Sequence, residues 1–262
     1  MELRIVRADP AGNITLFVLD PVERSQRPAL AERLMAIDAL KAEQVGFACP
    51  AGEGVDGVME MAAGEFCGNA TRSYAMLIAR ERGLTGRVEL LLRVSGCAGT
   101  VRAEVDTEAG TAFSQMPLPV SVTPTEVLGR KCTLVDLGGI AHMVAPGCEH
   151  SEEFFLGAEN QLKACPEAQA YGVMYLTEGS VLRPLVKVPA VNSLVWEGSC
   201  GSGSLACALA KCADMPDGVY EESYVQPAGT VTVRVRREAG RVTETFIGGS
   251  VSLSENITIE LP

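Results

Sequence analysis

The chain has 262 residues, of which 47% are hydrophobic and 21% charged, and its formal net charge is −11. That length accommodates two domains of about 130 residues, and the composition is that of an ordinary globular protein. The negative charge disfavours nucleic acid or an anionic membrane as a partner, and no apolar run approaches the ~20 residues that span a bilayer.

Residues 1–7 alternate like a strand and lack the apolar centre of a signal peptide, so the cytoplasm is the expected location. In that compartment most of the nine scattered cysteines are expected to be free, buried thiols. With two histidines and no CxxC pair, no metal site is expected.

Strands are predicted over 3–8 and 14–19, joined by the turn Asp9-Pro10-Ala11-Gly12-Asn13. Residues 28–40 have helical spacing, with Leu30, Leu34, Ile37 and Leu40 on one face. Short strands follow over 43–48 and 58–61, then a helix over 70–82 stopped by Gly83. Strands over 88–94, 100–105 and 111–116 complete the first half. Three prolines in the stretch from Met116 through Pro124 make it the candidate linker. Strands resume over 132–137, 142–144, 171–176 and 182–188. A second helix is predicted over 204–213, which Pro216 prevents from continuing. Strands over 230–236, 241–247 and 257–261 finish the chain.

Two stretches stand out in this series: Glu65-Phe66-Cys67-Gly68-Asn69-Ala70-Thr71-Arg72 and Gly198-Ser199-Cys200-Gly201-Ser202-Gly203-Ser204. Each sets a cysteine before a small-residue turn that opens a helix. A thiol there lies near unpaired N–H groups and the positive end of the helix dipole, both of which favour thiolate. Cys67-Gly68 recurs as Cys200-Gly201, 133 residues on, and Ala98-Gly99-Thr100-Val101 recurs as Ala228-Gly229-Thr230-Val231, 130 residues on. Similar offsets in the same order point to duplicated domains.

If both helix starts face one ligand, the N–H groups of Gly68, Asn69, Gly201 and Ser202 suit a carboxylate. One thiolate then removes an α-proton while the opposite thiol delivers one to the other face, inverting the carbon. No cofactor is required, and the sequence offers no clear site for one.

The run Phe66 to Arg72 resembles the first catalytic motif of diaminopimelate epimerases, and Gly198 to Gly203 resembles the second. Ala11-Gly12-Asn13 before an apolar strand is similar to that superfamily's N-terminal signature. The resemblance implies an α/β (α+β) fold of two pseudo-symmetric domains, each a curled, mainly antiparallel sheet around a central helix. It also implies a cofactor-independent racemase or epimerase with catalytic Cys67 and Cys200. The domains are expected over 1–118 and 119–262, with residues from about 255 packing back on the first. Substrate-binding residues implied in this way are Asn13, Glu43, Gly68, Asn69, His142, Gly201 and Ser202. The expected partner is a small-molecule amino acid, without nucleic acid or membrane, and a homodimer is compatible.

Departures from the motif bear on the substrate. Trp196-Glu197-Gly198-Ser199 reaches Cys200 without the epimerases' Arg, and Gly139-Ile140-Ala141-His142 lacks their Asn. Met59-Glu60-Met61-Ala62-Ala63 lacks the Asn before the first cysteine. Those groups would read a second amino-acid head, so an amino acid with one α-centre fits better. Glu43-Gln44-Val45-Gly46-Phe47 resembles a segment of histidine racemases in which an acidic residue meets the imidazole. Histidine is therefore favoured over lysine, ornithine or arginine, with help from Glu65 or Glu197.

Bland roles stand beside these. Asn13 is either a ligand contact or a turn residue at positive φ, and Asn69 caps its helix, binds carboxylate, or both. His142 is a ligand or a structural histidine, and Glu43 selects the ligand or is a solvated charge. Arg72 is expected to pair with a carboxylate or stay solvated, and Cys207 and Cys212 to lie in the core. Diaminopimelate epimerase and proline or 4-hydroxyproline racemase are the alternative activities, although the latter carry His where this chain has Asn69. A redox-sensing or binding protein is the non-enzymatic alternative.

Overall fold

A computed structural model describes residues 2–261. Its contacts divide the chain into two units, Met1–Gln115 with Gly248–Pro262, and Met116–Ile247.

The first unit contains β1 (Glu2–Asp9), β2 (Thr15–Val18), α1 (Arg27–Met35), β3 (Gln44–Cys49), β4 (Gly57–Met61), α2 (Gly68–Glu81), β5 (Arg87–Val94), β6 (Val101–Asp106) and β7 (Thr111–Gln115). The second contains β8 (Ser121–Val127), β9 (Arg130–Asp136), β10 (Ile140–Pro146), α3 (Glu152–Leu162), β11 (Ala170–Thr177), β12 (Val181–Val188), β13 (Ser193–Trp196), α4 (Gly201–Cys212), β14 (Gly218–Gln226) and β15 (Gly229–Glu238). The chain leaves it within β16 (Arg241–Ser250). Then β17 (Ser252–Leu253) and β18 (Ile257–Glu260) pair antiparallel with β1, Ile257 opposite Ile5.

The duplication is visible in the pairing. In the first unit β1/β2 are antiparallel, β2/β3 parallel across α1, β3/β4 antiparallel, β4/β5 parallel across α2, and β5/β6 antiparallel. The second unit repeats this order: β9/β10 antiparallel, β10/β11 parallel across α3, β11/β12 antiparallel, β12/β14 parallel across α4, and β14/β15 antiparallel. The strands of each unit pair mainly antiparallel and take a parallel step wherever a helix makes the crossover.

α2 and α4 are the central helices. α2 packs on β2, β4, β5, β6 and β7, and α4 on β9, β10, β11, β14 and β15. Every residue from Gly68 to Ala79 is buried. A helix enclosed on all sides must be apolar or small nearly all round, and Ala70, Ala75, Leu77 and Ala79 in α2 and Leu205, Ala206, Ala208 and Leu209 in α4 meet that need. Each large aliphatic side chain buried this way contributes about 1.5–3 kcal/mol.

Several expectations change. The division falls after Gln115 rather than residue 118, and the return to the first unit begins at Gly248 rather than near 255, because the β1 partners start at Ser252. The proline-rich linker shrinks, since Ser121–Val127 is a strand whose Pro124 faces Thr133 of β9. Proline is tolerated where a strand's N–H groups have no second neighbour to serve. The first predicted helix ends at Met35, with a separate short turn over Asp38–Leu40. α3 was not predicted although Ser151 caps it, accepting from Phe154 N at 3.0 Å, because Gly157 interrupts its pattern. β13 and β14 carry no strand signal in the sequence: β13 is mostly exposed, and in β14 the residues that alternate inward, Tyr220, Glu222, Tyr224 and Gln226, are not an apolar series. Among the described residues, no helix is long and apolar enough to cross a membrane.

Candidate active site

The two cysteines are the N-caps of the two central helices. Cys67 Sγ accepts from Ala70 N at 3.4 Å and Cys200 Sγ from Gly203 N at 3.3 Å. One residue further, Thr71 and Ser204 hydroxyls each donate to the carbonyl of their cysteine at 2.8 Å. The helices therefore start at Gly68 and Gly201, earlier than the sequence suggested, because sulfur caps them itself. Gly96 and Gly203 allow these turns. A Cβ on Gly96, which has φ +68°, would lie 2.2 Å from Phe66 N, just before Cys67. One on Gly203 would lie 2.1 Å from Met174 Sδ and 3.1 Å from Cys200 Sγ.

The charge balance at sulfur differs from the expectation. Burial pushes the Cys67 thiol up; the Ala70 amide and Gln44 pull it down without overcoming burial, and Glu65 adds to the rise. Cys200 is pushed well above the usual thiol range by burial and by Glu197, against Ser202 and the Gly203 amide. The helix start favours thiolate, but the cost of desolvating a charge outweighs it in the free protein.

Around Cys67 the first unit builds an amide network. Asn13 Oδ1 accepts from Gln44 Nε2 at 2.9 Å and from Asn69 Nδ2 at 3.4 Å, and Asn13 Nδ2 donates to Glu43 Oε2 at 3.0 Å. Gln44 Nε2 also lies 3.3 Å from Cys67 Sγ and 2.8 Å from Thr15 Oγ1. Asn13 is thus a hub, and the positive φ angles of its loop fall on Ala11 and Gly12 instead. Asn69 is not the cap: its Oδ1 accepts from Arg72 Nε at 3.1 Å. Arg72 is fully buried rather than solvated or paired with a carboxylate. Its other N–H groups serve the carbonyls of Pro10 at 2.8 Å, Ser250 at 3.0 Å and Gly249 at 3.2 Å. Burial lowers its pKa to about 10, which leaves it cationic at neutral pH.

Glu43 keeps an exposed face, yet protein crowding its carboxyl raises its pKa, opposed by the Asn13 bond and reinforced by Asp9. Glu65 is exposed and accepts from Ala63 N at 3.1 Å within its own turn.

Around Cys200 the second unit uses different groups. Ser202 Oγ lies 3.5 Å from Cys200 Sγ and 2.9 Å from His142 Nε2. Gln226, unremarked in the sequence, accepts from Cys200 N at 2.7 Å and donates to Ser204 Oγ at 3.0 Å. Gln44 and Gln226 each reach a cysteine from a strand more than 20 residues away in sequence, so no local motif marks them. All nine cysteines are free, and Cys207 and Cys212 lie in the core.

Comparison with known proteins places this geometry. The family model described as "Histidine racemase CntK N-terminal domain" matches residues 2–258. The chain belongs to this family. As a histidine-racemase-family member it is an isomerase of the racemase type. It is similar to a histidine racemase of Staphylococcus aureus, 29% identical over 258 residues covering 93% of this chain and 92% of that protein. A histidine racemase of Fusobacterium nucleatum is 29% identical over 263 residues, covering 96% and 94%. Among solved structures, a phenazine biosynthesis PhzF-family protein of Enterococcus faecalis shares the fold at TM-score 0.65 and 15% identity, covering all of both chains. A probable proline racemase of Agrobacterium radiobacter does so at TM-score 0.64 and 15% identity, covering 97% of this chain and 92% of that one.

Proposed function

We propose that this protein interconverts L- and D-histidine in the cytoplasm by a two-thiol inversion, Cys67 and Cys200 acting on opposite faces of the α-carbon. The observation that carries the reading is the duplicated cap: each unit presents one cysteine at the start of a buried central helix, with the same two bonds around it. One sulfur starts as thiolate and takes the α-proton, becoming thiol. The other starts as thiol and gives its proton to the opposite face, becoming thiolate. The enzyme ends in the mirror protonation state, ready for the other enantiomer, and no proton is gained or lost.

The first N–H groups of each central helix, from Gly68, Asn69, Gly201 and Ser202, are suited to the substrate carboxylate and to the charge that builds on it as the α-proton leaves. Burial disfavours the thiolate at both sulfurs in the free protein, so substrate binding has to supply the conditions for one to ionise. Glu43, fixed by Asn13 and crowded by protein, is suited to an imidazole N–H. Incubation of the reduced protein with individual L-amino acids in D₂O tests the reading. Histidine should exchange its α-proton and yield the D-isomer. Exchange with no amino acid overturns the racemase reading, and preference for lysine, ornithine or arginine overturns the substrate.

A further inference from the structure

His142 is fully buried on β10, and Nε2 faces Ser202 Oγ at 2.9 Å, while Nδ1 has no partner among the described residues. Ser202 Oγ continues to Cys200 Sγ at 3.5 Å. Three side chains of the second unit therefore form a line that ends on the sulfur.

We propose that His142 is a positioning residue that acts through Ser202, fixing the serine hydroxyl as a donor to Cys200. The inference rests on the two-thiol reading for its purpose, but its geometry lies in one unit and is testable without turnover.

The direction of the line follows from counting hydrogens. A neutral imidazole has one N–H and a serine one O–H. With the hydrogen on Nε2, the imidazole donates to Oγ and the hydroxyl donates to sulfur, so only a lone pair at Nδ1 goes unpaired. With the hydrogen on Nδ1, a buried N–H has no acceptor and the hydroxyl turns away from sulfur to serve Nε2. Orphaned buried N–H groups are rarer than unpaired acceptors, which selects the first arrangement. Burial lowers the His142 pKa to about 3, so the imidazole stays neutral and takes no proton from the thiol. In this arrangement the thiolate is stabilised by Ser202 O–H and Gly203 N–H. In the thiol state the S–H has no call on Ser202, and Glu197 is the side chain that hydrogen-bonds it.

Charged groups near the line are few. Glu197 beside Cys200 raises the thiol. Glu222 of β14 acts on Cys207, Arg237 of β15 on Cys212 and Asp136 of β9 on Cys165, while β11 presents Met174 to Gly203. Ser202 is therefore the side-chain group that lowers Cys200, alongside the Gly203 amide. At the equivalent place in the first unit, Asn69 turns to Arg72 and Asn13, and Cys67 is reached instead by the amide of Gln44.

Initial rates of iodoacetamide alkylation at a fixed pH, read separately for the Cys67 and Cys200 peptides by mass spectrometry, test this. Ser202→Ala and His142→Asn should each slow Cys200 by about tenfold, the loss of one hydrogen bond to a charged group, and leave Cys67 unchanged. His142→Gln, whose amide can donate near the Nε2 position, should restore most of the rate. Unchanged Cys200 rates in both deletion variants overturn the proposal, as does a His142→Gln variant as slow as His142→Asn with an unaltered circular-dichroism spectrum. Slowing of Cys200 in a protein that racemises no amino acid would uphold the line and overturn the function proposed above.

Discussion

The turn entering α2 and the turn entering α4 share a backbone and differ in what surrounds it. Both have a sulfur cap and a hydroxyl one turn on. Cys67, however, is reached by the amide of Gln44 and stands beside a buried guanidinium, whereas Cys200 is reached by the Ser202 hydroxyl. At the place equivalent to Arg72, the second helix has the buried apolar Leu205. Duplication preserved the element that makes a thiol useful, a sulfur cap at the start of a buried helix. The groups that tune each thiol diverged, which is expected if each sulfur meets the substrate from its own side. Racemisation has an equilibrium constant of one, so unequal thiols cannot change the ratio of kcat/KM in the two directions. They can change the separate kcat and KM values and their pH limbs.

The comparison can be broken most severely at the sulfurs. Cys67→Ser and Cys200→Ser should each lower racemisation by roughly 10³-fold, the scale of losing a general acid or base, as read by chiral chromatography. A small loss in either would end the equivalence of the two caps. Next comes the structural asymmetry. Arg72→Leu leaves Asn69 Oδ1 and three carbonyls without their donor and should cost about 3–5 kcal/mol in urea unfolding. The volume-conserving Leu205→Met should cost less than about 1.5 kcal/mol.

His142 supplies a pH signature. Its pKa is depressed from 6.5 to about 3 in the fold, so the unfolded chain binds the proton first. Stability contributed by the neutral histidine is present above pH 6.5 and is lost progressively as pH falls towards 3. His142→Gln should flatten that part of the stability curve, and an unchanged acid slope would show that the imidazole is not desolvated.

Gln44→Ala removes a donor from Cys67, as well as from Asn13 and Thr15, and none from Cys200. The Cys67 thiol pKa should rise, moving the alkaline rise of kcat to higher pH for the enantiomer that Cys67 deprotonates, with a loss of about tenfold at neutral pH. The smallest effect is expected at Glu43, which keeps an exposed face. Glu43→Gln should weaken histidine by several-fold, about the worth of one charge-assisted hydrogen bond partly screened by water. An equal loss for a neutral amino acid would remove Glu43 from substrate selection.

Cys67 and Cys200 were legible because a cap is a local device: a cysteine, a small residue and an apolar helix are consecutive in the chain. The duplication was legible from two short repeats, and the pairing order of the strands extends it through both units. Gln44 and Gln226 were not singled out, since each is carried to its cysteine by strand pairing and no spacing rule links them. Arg72 looked like an ordinary charged residue on a helix. Its burial depends on carbonyls at Gly249 and Ser250, 177 and 178 residues away, on the strand by which the chain returns to the first unit.

What the sequence by itself determined was the chemistry on offer: two thiols, each at the N-terminus of a helix, in two halves built alike. Only the tertiary structure decided in which direction those thiols are shifted. A helix start acts over one turn and lowers a thiol pKa, and it is written in consecutive residues. Desolvation sums over everything packed around the sulfur, comes from strands far apart in the chain, and here is the larger of the two.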